Sequence, residues 1–435
     1  MRRLRETLTK RALAYARRLV RIESVSFRER PCAEELAGIL EGLGFRTYID
    51  EGNNLVARLH GRQSDAPTLL FIGHHDTVDL GDLSEWDYPP LEAVVENGKL
   101  HGRGSNDEKG GLAAFLAAME TLLENDMRPA GDILLISTRE EIADLSQRGI
   151  LQVLRRAGIG PGGEAVGGAA QTGRDADGET TADEAISLQA DACICLEPTE
   201  TTLMLGHRGR AVADFSLRGR AAHASMPARG TNAIEKAAAL VQAIQEMPMP
   251  AGSASGRGLV GSVTAPEEGT TWPPLEDWTG TQAVTMIRGG TRENIIPEEC
   301  TVTVDRRILD GEDEHTVAAE YQEVIGRLQA VDPGFQVEFQ IRPPYYAALT
   351  DREDGFVRRV QAILRDMDHQ DLPEVFPGHT DAEWVINDMG IPCVILGPGS
   401  LSTAHTAREY VPVADLGFCA EVYYRTCLAL GAGCW

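Results

Sequence analysis

Four short runs of unbroken apolar residues, Leu69–Ile72, Ile133–Ile136, Ala192–Leu196 and Val394–Leu396, are distributed through the chain with amphipathic stretches between them. Runs this short and this uniformly apolar suit strands buried on both faces. Leu4, Leu8, Leu13, Ala16 and Leu19 form a stripe that predicts a first helix, and Pro31–Leu43 predicts a second, ended by Gly44. Phe45–Ile49 and Leu55–Leu59 alternate as strands, while Leu112–Leu123 and Gly355–Met367 repeat as helices. Buried strands separated by helices predict an α/β fold with a mostly parallel sheet and helices on both faces.

From about Arg210 the pattern changes to alternation. Val212–Leu217, Gln282–Ile287, Cys300–Ile308 and Gln336–Ile341 read as strands, with helices Asn232–Glu246 and His315–Ala330 between them. Asn232 and Glu235 are spaced like a capping box. The resulting β-α-β-β-α-β order is that of a small ferredoxin-like α+β domain inserted into the larger one. The expected division is therefore a first catalytic part at 1–209, an inserted lid or dimerisation domain at 210–342, and a second catalytic part at 343–435. Residues 158–186, rich in Gly, Ala, Asp and Thr, read as a long surface insertion.

Composition narrows the class of protein. A length of 435 residues exceeds one ordinary core, and 43% hydrophobic with 25% charged residues is a globular balance. The net charge of −25 offers no counter-charge to nucleic acid or an anionic membrane. No run approaches the ~20 apolar residues of a membrane span. The eight cysteines form no C-x-x-C pair and no disulfide framework, which fits a reducing cytoplasm.

The chemistry collects where the buried runs end. Leu69–Ile72 is followed by Gly73, His74, His75 and Asp76, and alternation puts His74 and Asp76 on one face with His75 on the other. Asp107 lies in HGRGSNDEKGG, a glycine-rich turn just before a helix, where a carboxylate would be held rigidly. Ile133–Ile136 leads to Glu140 and Glu141, and Ala192–Leu196 leads to Glu197. In a parallel sheet these carboxyl ends line one crevice, and solvated strand caps would not need to share that polarity.

Taken in order, GHHDTV (73–78), GRGSNDEKGG (102–111), EE (140–141), LEPT (196–199), GRAAHASMPARGTNAI (219–234), GGTRENIIPEE (289–299) and the closing GPGSLSTAHTAREYV resemble the M20 family of dinuclear metallopeptidases and amidohydrolases. The resemblance implies two divalent ions, zinc first, with cobalt or manganese as substitutes. It implies that His74 and Glu197 bind one ion, His405 and Glu141 the other, and that Asp107 bridges both. Asp76 would orient His74, and Glu140 would be the general base acting on a metal-bridging water. In the inserted domain it implies that His223 stabilises the oxyanion, often across a homodimer, and that Asn294 and Arg307 grip a substrate carboxylate. Arg307 has a twin in Arg306, and strand alternation lets only one of them face the substrate side.

Three positions depart from the family pattern. Arg139 stands where an aspartate is usual, the 158–186 insertion is longer than usual, and His379 occupies a loop that is usually small, where it is expected to line the substrate pocket. No inferred ligand is missing. The expected activity is hydrolysis of an N-acyl-L-amino acid. The ending GPG-x5-H-x3-EYV looks more like the acetylornithine type of deacetylase than like the desuccinylases. A carboxypeptidase or dipeptidase is the close alternative, and a catalytically silent metal-binding protein the distant one.

Overall fold

The computed structural model describes residues 2–139, 149–159, 173–174, 180–181, 186–251, 259–260 and 279–431. The four apolar runs lie side by side and parallel, in the order Ile133–Thr138, Leu69–His74, Ala192–Cys195 and Cys393–Ile395. Every side chain of Leu69–Ile72 is fully buried, as a run without alternation requires. Antiparallel strands flank this core, Leu55–Leu59 and Arg46–Ile49 on one side and Met204–His207 on the other. The parallel register places His74 beside Thr138 and brings the chain ends at Arg139, Leu196 and Leu396 to the same edge.

Three helices, Arg2–Val20, Lys109–Glu124 and Val413–Ala429, pack on one another and onto this sheet through Phe71. The Phe71 ring meets Phe115 at 4.8 Å and Tyr423 at 5.5 Å between centroids. The first helix buries Leu8, Ala12, Ala16 and Leu19 completely, while Leu4 and Leu13 lie half-buried at the margins of the stripe. The last helix is buried almost all round from Leu416 to Val422. It therefore carries no stripe for a periodicity argument to detect.

The chain divides into two compact units, Met1–Gly206 with Leu349–Phe376 and Thr380–Trp435, and His207–Ala348 with Pro377–His379. The smaller unit thus begins at His207 instead of 210, runs on to Ala348 instead of 342, and takes in His379. The cause is local pairing: Arg210 N–H donates to Tyr345 O at 2.7 Å, Tyr345 N–H returns to Arg210 O at 3.0 Å, and the His379 ring lies 4.5 Å from that of Tyr345. Its antiparallel sheet has the order Thr281–Gly289, Glu299–Ile308, Gly209–Arg218, Gln336–Ile341, with helices Ala233–Gln245 and Glu314–Val331 packed together. That is the ferredoxin-like order expected. The side chain of Asn232 caps its helix by accepting from Ile234 N–H at 3.0 Å.

Residues 140–148, and all but a few residues of 158–186, lie outside the described residues. Among the described residues no helix is long and apolar enough to cross a membrane, and all seven described cysteines are free and buried.

Candidate metal centre

Asp107 is the residue on which the site converges. Its Oδ1 lies 3.0 Å from His74 Nε2 and its Oδ2 lies 3.0 Å from His405 Nε2. One carboxylate thus presents one oxygen to each of two imidazoles, as a bridging ligand would. Glu197 Oε1 lies 3.9 Å from His74 Nε2. Two ligand atoms each ~2.0–2.1 Å from a tetrahedral ion sit roughly 3.4 Å apart. The observed 3.0 and 3.9 Å bracket that value, so His74 stands at ligand-pair spacing from both Asp107 and Glu197.

The supports of His74 are equally specific. Asp76 Oδ1 and its own carbonyl both lie 3.2 Å from His74 Nδ1, which leaves Nε2 to face Asp107. Asp76 is held in turn by Ser26 Oγ–H at 2.9 Å. His75 turns away, with Nδ1 2.9 Å from Ser137 Oγ, and its burial lowers its pKa to about 4. It is a neutral core residue and no ligand.

The electrostatics are those of a cation site. Burial pushes the His74 pKa down, but the charge of Glu108 and the bonds to Asp107 and Asp76 outweigh it and hold the imidazole well above its ordinary range. Burial raises Asp107, yet its bonds to His405 and His74 pull it below the usual carboxylate range. His405 is raised, chiefly by its bond to Asp107. Positive charge is thus stabilised where a metal would bring it, and metal binding must displace those protons.

Sequence reasoning missed Glu108. Its side chain is fully buried, and its Oε1 accepts from His74 N–H at 2.7 Å. A Cβ on Gly73 would lie only 1.9 Å from that oxygen, so the glycine of GHHD exists to admit this carboxylate. Among the described residues, His74, Glu108 and Glu197 each bring a ligand-type atom within 4.8 Å of one another. In the sequence an acidic residue before Lys109 reads as an ordinary helix start. Only the turn that folds it under His74 marks it.

Glu140 and Glu141 fall outside the described residues; the strand that precedes them ends at the edge shared with His74 and Glu197. The remaining candidates lie in the smaller unit. His223 is exposed on a two-stranded ribbon, its Nδ1 2.8 Å from Ser225 Oγ, and Asn294 adjoins it through its carbonyl, which accepts from Ala224 N–H at 3.0 Å.

Arg306 is fully buried against Glu312 and Glu320, on the helix side of its strand. Arg307 is on the opposite face, with Nε donating to Asp305 at 3.1 Å. Near it stands Arg208, also missed, whose pKa is lowered by burial and by the charge of Arg307. The Arg208 Nε is buried with no hydrogen-bond partner among the described residues. His379 packs between Tyr345 and His207, 4.8 Å from the latter ring.

Comparison with known proteins agrees with this geometry. Residues 70–429 match the group described as Peptidase family M20/M25/M40. The chain is 26% identical to a succinyl-diaminopimelate desuccinylase of Marinobacter nauticus over 426 residues, covering 96% of this chain and 98% of that protein. Its fold is similar to that of aminopeptidase PepT from Bacillus cereus, with a TM-score of 0.69 at 21% identity over 97% of this chain and 99% of that one. An M20 family metallo-carboxypeptidase from Sulfolobus solfataricus gives 0.69 at 18% identity, over 96% and 98% of the two chains.

Proposed function

The chain belongs to peptidase family M20/M25/M40 and is a hydrolase of amide or peptide bonds, and from that premise we propose that it removes the acyl group from an N-acyl-L-amino acid. The observation that carries the metal-dependent hydrolysis in this reading is Asp107 shared between His74 and His405. These imidazoles and carboxylates would hold two divalent ions, zinc the first choice, and the chemistry such ions would supply is polarisation of a carbonyl and a more acidic bound water.

The chain's own residues do the rest. His74 with Glu197, and His405 with Glu141, would hold the ions together with Asp107, and Asp76 keeps His74 in the tautomer that leaves Nε2 free. Glu140 takes the proton of the attacking water and delivers it to the departing nitrogen. His223 donates to the carbonyl oxygen as it gains charge, and Asn294 and Arg307 bind the substrate carboxylate. The neighbouring Arg208, whose buried Nε has no hydrogen-bond partner among the described residues, supports an anionic substrate. His379 borders the substrate within the same unit.

The test is release of free amino groups from a panel of N-acetyl, N-succinyl and N-formyl amino acids beside simple dipeptides, with added Zn²⁺ or Co²⁺. Turnover confined to N-acyl amino acids is expected. Turnover of dipeptides alone would make it a peptidase, and metal uptake with no turnover across the panel would favour a silent binder.

We place the protein in a reducing cytoplasm, as its free buried cysteines favour, and as a homodimer formed through the smaller unit, in which His223 serves the partner's site. A dimer is expected in sedimentation at micromolar concentration. A monomer with full activity would remove His223 from that role.

A further inference from the structure

His405 is the least supported of the described candidate ligands. Its side chain is 52% exposed, its backbone φ is +61°, and it sits in the irregular segment between the strands Cys393–Ile395 and Tyr410–Pro412. A ligand on such a segment binds metal well only if something else restricts the segment, because the ordering entropy is otherwise charged against binding.

Two fully buried side chains supply that restriction. Asn106, the neighbour of Asp107, donates from Nδ2 to Ser400 O at 2.6 Å and accepts on Oδ1 from Ser400 N–H at 2.8 Å. The fit is close: Gly399 has φ +88°, and a Cβ there would fall 1.8 Å from Asn106 Oδ1. At the other end of the segment Glu409 Oε1 accepts from the N–H groups of Asn106 and Asp107 at 3.1 and 3.3 Å. Its Oε2 pairs with Arg103 at 2.7 Å, and the same guanidinium donates to Thr406 O at 3.2 Å. The segment that carries His405 is therefore fastened on both sides of it to the turn that carries Asp107.

We propose that Asn106 and Glu409 are positioning residues that set the affinity of the ion on the His405 side far more than that of the ion on the His74 side. Asp107, whose N–H donates to Glu409, faces both sides, but on the His74 side the imidazole has its own supports in Asp76 and Glu108. The proposal rests on the two-ion reading of the site.

The experiment is a Co²⁺ titration of the metal-free full-length protein, followed by calorimetry and by visible absorption. Wild type is expected to take up two ions. Asn106→Leu and Glu409→Gln should keep the first ion and weaken the second by about 10–100-fold, the usual effect of removing a support behind a ligand. Their one-ion spectra should match that of His405→Ala. Thr350→Val is the control: it removes a comparable two-way bond, 2.6 Å to Cys393 O and 2.9 Å from Cys393 N–H, elsewhere in the same unit. It should bind both ions as wild type does.

Wild-type affinity for both ions in Asn106→Leu and Glu409→Gln would overturn the proposal. So would joint loss of both ions, or loss of the second in Thr350→Val. Uptake of fewer than two ions by wild type would instead overturn the two-ion reading, and this proposal with it.

Discussion

Replacing Asp107 with asparagine is expected to release both metal ions on dialysis and to cut kcat/KM by about 10³-fold or more. The carboxylate faces His74 with one oxygen and His405 with the other, each at 3.0 Å. An amide is neutral and offers one oxygen and one NH₂, so it cannot bridge two cations. Lewis-acid stabilisation is worth several kcal/mol, and each 1.36 kcal/mol is tenfold in rate. Metal analysis of the dialysed variant, beside its kinetics, checks both halves of the statement. Retention of two ions with a rate within tenfold of wild type would move the bridge to another carboxylate, of which the buried Glu108 is the nearest candidate.

What the sequence made legible were the parts governed by local periodicity. The unbroken run Leu69–Ile72 suited a strand buried on both faces, and alternation then put His74 and Asp76 together and turned His75 away, where the structure places it against Ser137. The same alternation separated Arg306 from Arg307. What stayed hidden depends on folding between distant segments. Glu409 looks like an ordinary charged residue before a strand, yet it closes on Arg103 and on the Asp107 turn, some three hundred positions earlier. Asn106 reads as a turn former and acts as a clamp on Ser400.

The boundary of the smaller unit moved for a related reason. His207–Gly209 and 343–348 carry no period-2 signal that would assign them to the inserted domain; contacts between distant segments, the Arg210–Tyr345 bonds and Tyr346 Oη–H donating to Glu314 at 2.8 Å among them, join them to it. Arg208 was overlooked because a lone arginine is normally solvated. Only the neighbouring Arg307 and the loss of solvent make it unusual.

Glu140→Gln is expected to lower kcat by about 10²–10⁴-fold, the usual contribution of a positioned general base, while both ions stay bound and KM changes little. The glutamine keeps the shape of the side chain and loses only the capacity to take a proton, so a defect confined to kcat isolates that step. Glu141→Gln should behave differently: in the role proposed for Glu141, as a ligand of the His405-side ion, its loss should release that ion first and lower activity as a consequence. Sequence adjacency alone cannot say which glutamate does which, because neighbouring residues point different ways and Arg139, immediately before them, alters the local charge. Metal stoichiometry sorts them. If Glu140→Gln loses an ion while Glu141→Gln retains both and stalls, the two roles exchange, and the proton carrier is the second glutamate of the pair.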